Sequence, residues 1–227
     1  ASTSVRRGGC GPTGLAAAGG RDPWHLHPNG ELAVRPPVAS APDAFRYDPA
    51  DPTPSLGGPL LVAQRAGPVD NRRVEARPDV LTYTSGPLTR PVEVIGPVRA
   101  EIHVRSDLPH LDVFVRLCDV DRRGRSWNVC DGLVRVTPER FTADESGVLR
   151  IVVSLWPTAY RFGVGHRLRA QVAGGAHPRW ARNPGTGELL GQAVTLRAGW
   201  RQVLHDPAHP SAVLLPIVHS DPAQPPF

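Results

Sequence analysis

Methionine and lysine are both missing from the 227 residues, and cysteine occurs only three times. A newly made chain starts with methionine. A sequence opening at Ala1 without one is expected to be a processed product or a piece of a longer chain. All 26 basic residues are therefore arginine; together with the many Ala, Gly and Pro residues, this reflects nucleotide bias in the gene more than a physical need. Three cysteines are too few for a disulfide scaffold. No stretch approaches the roughly 18 apolar residues that a spanning helix requires, so no membrane partner is expected. The net charge is +5, but no run of five like charges exists and Arg is often beside Asp or Glu. That scatter argues against a nucleic-acid groove. The apolar run 14–18 near the N-terminus is too short and too Gly-broken for a signal peptide.

The chain also lacks a G-x-S-x-G elbow. That turn lifts a nucleophilic serine above a sheet, and its glycines are required because side chains would clash there. The serines nearest in context are Ser85, Ser146 and Ser154. Ser154 lies in a strand-like run and the other two in turn-like contexts, so structural roles are expected. No histidine pairs convincingly with an orienting carboxylate. Catalytic, cofactor-binding and metal residues are thus expected to be absent, and no cofactor is implied. His25 and His27 would share one strand face, the best zinc-like spacing. His205 and His209 have helical spacing, but Pro207 and Pro210 oppose a helix. Asp119, Asp121, Gly124 and Asp131 faintly resemble a calcium loop, yet Arg122 and Arg123 intervene and no Glu stands at loop position twelve. A hairpin turn is the expected reading. It would place Cys118 and Cys130 equally far from Gly124, close enough to pair. Two buried free thiols in a cytosolic setting are the favoured alternative.

What is present is a β pattern. Residues 1–23 are expected to be disordered or a remnant, and 24–79 to form a Pro-rich extended arm, because proline removes backbone donors. From Val80 the pattern becomes strands. Val98, Ala100, Ile102 and Val104 alternate with Arg99, Glu101, His103 and Arg105, which predicts a strand with one wet face. Leu111, Val113, Val115 and Leu117 repeat that alternation. Further strands are predicted at about 129–136, 148–155, 168–172 and 212–218. With helical periodicity nearly absent, residues 80–227 read as an all-β sandwich or jelly roll. Trp127, Trp156, Tyr160, Phe162, Trp180 and Trp200 are expected chiefly in the core or at a domain interface, with a sugar-stacking platform as the alternative.

Several blocks occur in series: FRYDPADPTPSLGG, VDNRRVEARPDVLTYTSGPL, GPVRAEIHVRSD, LDVFVRLCDVDRRGRSWNVCDGLVR, SLWPTAYRFGVGHRLRAQVAGGAHPRWARNPGTGE and HPSAVLLPIV. Together they resemble the C-terminal domain of X-Pro dipeptidyl-peptidases and CocE/NonD serine hydrolases, over about 24–219. The resemblance implies a jelly roll of the galactose-binding-like type. It also implies a partner, an α/β-hydrolase domain that carries the Ser, Asp, His triad and oxyanion hole; self-association through the face left bare is the alternative. No position here matches the family's catalytic blocks, so no catalytic residue is carried over. A non-catalytic accessory role is expected, with a stand-alone carbohydrate-binding-type module as the alternative. Gly163 and Gly165 suit a tight turn before the strand that follows His166. The loop 183–187 is expected near the domain interface, and Asp112 and Asp119 are expected to bond to loops or neighbouring strands.

Overall fold

A computed structural model describes residues 21–60 and 66–218. The expected disordered segment 1–23 falls, all but its last three residues, outside them, as does Cys10. Thirteen strands carry the fold: β1 (Asp22–His27), β2 (Glu31–Ala33), β3 (Asp43–Tyr47), β4 (Val80–Thr84), β5 (Val92–Gly96), β6 (Arg99–Ser106), β7 (Leu111–Val120), β8 (Ser126–Val136), β9 (Leu149–Ser154), β10 (Thr158–Phe162), β11 (Arg167–Ala173), β12 (Gly199–Leu204) and β13 (Ala212–Leu215). Among the described residues the only α-helix is the single turn α1 (Arg72–Glu75). No described helix is long and apolar enough to cross a membrane.

One mixed sheet runs in the order β3-β12-β6-β13-β1-β2-β4-β11-β7-β8, with β9 also paired to β6. A small second sheet pairs β10 with β5. Both halves of the large sheet feed one apolar core. Phe45, Ile102 and Val203 come from one half, and Tyr83, Leu117 and Leu168 from the other. Alternation explains this, because residues two apart share a face of a pleated strand.

The expected bounds of the arm and of the last strand change first. Residues 24–47 are not an arm; they supply β1, β2 and β3, and β1 lies inside the large sheet between β13 and β2. Pro23 is tolerated there for a positional reason. β2 pairs only with His25, Leu26 and His27, so Pro23 faces β13 alone and needs no second ladder bond. The arm is the later stretch, described over 48–60 and 66–78 and interrupted by α1. The final strand is also shorter than 212–218: β13 ends at Leu215, and Ile217 instead bridges Val94.

The second change concerns β7. All ten of its residues are buried, whereas a strand with one wet face was expected. Leu111, Val113, Val115 and Leu117 enter the main core. Its even residues, Asp112, Phe114, Arg116 and Cys118, lie under the arm and the 173–183 segment. His177 bonds to Thr53 and Ser55 there, which stitches the two covering segments together.

Candidate functional site

The polar side chains between sheet and arm form a continuous layer. Arg116, 1% exposed, donates to Asp131 through Nε (3.1 Å) and Nη2 (2.8 Å), and to Asn71 Oδ1 at 2.6 Å. Arg179 donates to the other oxygen of Asp131. Arg135 of β8 grips Asp112 through two bonds of 2.8 and 2.7 Å, and Asn183 adds a third at 2.8 Å. Glu75 accepts from Arg169, Gln171 and Ser126. Thr53 donates to Asp79 at 2.6 Å. These groups satisfy one another, as buried polar groups must. Their partners come from loops and neighbouring strands, which is the role expected of Asp112.

Asp119 does the same work at the sheet's end. It accepts from Tyr160 Oη at 2.9 Å and bonds His166 Nδ1 at 2.9 Å. His166 follows a turn closed by its own N–H donating to Gly163 O, with Gly165 at φ 79°. Asp121, two residues on, caps the β7–β8 hairpin. It accepts from the backbone of Arg123 and Arg125 and from Trp127 Nε1, and Gly124 takes φ 78°. Asp131 lies in the buried layer. The carboxylates that faintly resembled a calcium loop are therefore spent separately. No cluster of three or more His, Cys, Asp or Glu suited to a metal exists among the described residues.

Cys118 and Cys130 do not pair. The register slips by one residue between Leu117 and Cys118, so Cys118 faces Asn128 and Cys130 faces Leu117. A one-residue bulge reverses which face a side chain takes. Cys130 enters the main core, while the Cys118 sulfur meets Gln171 Nε2 in the polar layer at 3.3 Å. Burial pushes both thiols up to about 12.

The serine and histidine candidates have separate fates. Ser85 is buried, donating to Gly86 O and accepting from Leu168 N. Ser154 is exposed on β9. His25 and His27 share a strand; His27 Nε2 lies 3.2 Å from Arg35 O. His205 and His209 flank a turn, where His209 N–H donates to Asp206 O, and they join different clusters.

Those two clusters each contain a Ser, a His and an Asp. At the surface, Ser146 Oγ donates to Asp144 at 2.7 Å, and His209 Nε2 lies nearer Asp144 (3.2 Å) than Ser146 (3.5 Å). The serine proton thus points to a carboxylate, the wrong acceptor for a nucleophile. The other cluster escaped the sequence reading. Ser40 Oγ lies 2.8 Å from His205 Nδ1, and His205 Nε2 lies 3.1 Å from Asp43 Oδ2. Tyr83 Oη donates to the same Asp43 oxygen at 2.8 Å. Burial opposes ionisation of Asp43, but the bonds from His205 and Tyr83 hold its carboxyl below the ordinary range. Sequence spacing offered no signal, since Ser40 and His205 are 165 residues apart. The order of groups is that of a triad, but His205 is buried at 1% exposure. A nucleophile needs a place beside it for substrate and for oxyanion donors. The cluster instead ties the 34–42 loop to β12 and β4.

The six aromatics also divide. Phe162 is in the core, with Tyr160 edge-on to it at 5.0 Å. Trp127 lies under Arg125 and Trp180 under Arg179. Trp156 and Trp200 are 60% and 54% exposed.

In class this is a β-rich domain with almost no helix among the described residues. The chain belongs to the X-Pro dipeptidyl-peptidase C-terminal non-catalytic domain family, whose model matches residues 18–214. It is 36% identical over 199 residues to the cocaine esterase of Rhodococcus sp. (strain MB1 Bresler), covering 83% of this chain and 34% of that protein. A solved α-amino acid ester hydrolase superposes with a TM-score of 0.78 at 27% identity, over 87% of this chain and 36% of that one. An aminopeptidase from a marine sediment archaeon, Thaumarchaeota archaeon, shares the fold with a TM-score of 0.77 at 22% identity, over 88% of this chain and 37% of that one. The chain thus spans about a third of the length of these relatives.

Proposed function

We propose that this domain acts as the non-catalytic C-terminal part of a serine hydrolase. It braces an α/β-hydrolase domain that supplies the serine, histidine, aspartate and oxyanion hole. The whole enzyme would cleave an acyl ester or an X-Pro peptide by serine attack, acyl-enzyme formation and water. In this reading the domain is a jelly-roll sandwich of the galactose-binding-like type, and its apolar surface caps part of the substrate pocket. Bare Val34, Val38, Val152 and Trp156 offer area for that contact.

The observation that carries the reading is the match of residues 18–214 to the X-Pro dipeptidyl-peptidase C-terminal non-catalytic domain. The test is turnover of p-nitrophenyl acetate and of an X-Pro chromogenic substrate by the purified chain, with and without a serine-directed inhibitor. The expected result is background rate in both arms. Inhibitor-sensitive turnover would overturn the reading and direct attention to Ser40.

A further inference from the structure

We propose that the outer face of β3, β12 and β6 holds a binding subsite for a neutral oligosaccharide, with the Trp200 indole as its floor. Trp200 lies at the second position of β12, and alternation turns its side chain to solvent while Arg201 and Val203 turn inward. The indole is more than half exposed, and no ring or cation contact covers it among the described residues, unlike Trp127 and Trp180. An uncovered indole presents a large apolar plane to solvent.

Two grooves flank it. One, of about 350 Å³, is lined by Ala44, Arg105, Ser106, Asp107, Trp200 and Gln202. The other, of about 520 Å³, shares Ala44 and Trp200 and continues past Arg46 to Asp48, Asp51 and Arg77. The registers put these groups on one face: Trp200 opposes Arg46, and Gln202 opposes both Ala44 and Arg105. Ala44 is diagonal to the indole, and its small side chain leaves the ring open.

The chemistry selects the ligand. A pyranose has an apolar C–H face to lay on the indole and hydroxyls around its rim. The rim meets planar groups that can bond two hydroxyls at once: the Gln202 amide, the Arg105 and Arg46 guanidiniums and the Asp107 carboxylate. Gln202 and Arg105 are held to each other at 3.3 Å, which fixes both before a ligand arrives. A nucleotide base would also stack, but together the grooves hold four Asp against three Arg, which disfavours an anion. An uncharged chain of sugars running from one groove to the other fits both.

The test uses the full chain and a panel of neutral hexasaccharides (cello-, malto-, xylo-, chito- and galacto-), read by tryptophan fluorescence and calorimetry. Affinities of roughly 0.1–1 mM are expected for at least one. Trp200→Ala should weaken that binding at least about tenfold, Gln202→Ala should weaken it less, and Trp156→Ala should leave it unchanged. Trp200 is exposed, so its variant should unfold at the parent's temperature, which the same samples report. No binding of any sugar at roughly 10 mM overturns the proposal. So does binding that survives Trp200→Ala, or AMP binding more tightly than every sugar. Each of these results is independent of the esterase assay above.

Discussion

Arg116 of β7 and Asp131 of β8 meet 2.8 Å apart with side chains 1% and 2% exposed, on the face of the sheet that the described arm residues close off. Asp131 also accepts from Arg179, so two guanidiniums share a single carboxylate. A buried ion pair adds little net stability, yet removing one partner is costly because the other charge is stranded. Asp131→Leu strands two cations, whereas Arg116→Met leaves Asp131 with Arg179. Asp131→Leu should therefore lose more stability, about 3–5 kcal/mol, than Arg116→Met. Urea unfolding midpoints at constant slope measure the order. The reverse order would mean that Arg179 is not a true partner.

The bulge that separates Cys118 from Cys130 makes a chemical prediction. In a Cys10→Ser chain, neither thiol should react with a disulfide reagent at pH 8 in buffer, and both should react in denaturant. A disulfide would leave both silent in either condition. Burial raises both thiols from 9.0 to about 12. The stability they contribute is whole below pH 9.0 and is lost as pH rises toward about 12, because the unfolded thiols ionise first. Replacing both by Ala or Val should flatten that alkaline decline.

Acid should act through histidine. His25, His27 and His103 are all held below 6.5, in each case chiefly by burial. Their contribution is whole above 6.5 and is lost as pH falls through their lowered folded values, because the unfolded imidazoles take protons first. The urea midpoint should fall between pH 8 and pH 5, and by less in His27→Gln. An unchanged fall in that variant would remove His27 from the account.

Two glycines of β8 and the β4–β5 loop should respond in opposite ways. A Cβ on Gly132 would lie 2.3 Å from the Ser154 carbonyl oxygen and 3.2 Å from Leu155 Cα, all backbone. Gly132→Ala should cost about 1–3 kcal/mol, because β8 and the end of β9 must separate. Gly86 meets nothing within 4 Å, and Gly86→Ala should be near neutral. Equal losses would mean that the two strand ends are not in contact.

The sequence by itself determined the strands whose pattern is local: β6, β7 and β11 lie where alternation put them, and β8 and β9 overlap the strands expected at about 129–136 and 148–155. It also determined the family, because the blocks from Trp24 onward are contiguous motifs in order. It did not disclose β1 or β3, since Pro23 and the prolines flanking β3 argued for an arm, and only the short reach of β2 shows why Pro23 is harmless. Nor did it disclose that the even residues of β7 are dry. Alternation reports which side chains share a face, but whether that face meets water depends on the described arm residues and the 173–183 segment crossing it. The Ser40–His205–Asp43 chain and the exposure of Trp200 against the cover on Trp127 and Trp180 are of the same kind. Those relations join residues far apart in sequence, and the way the sheet and its covering loops pack decided them.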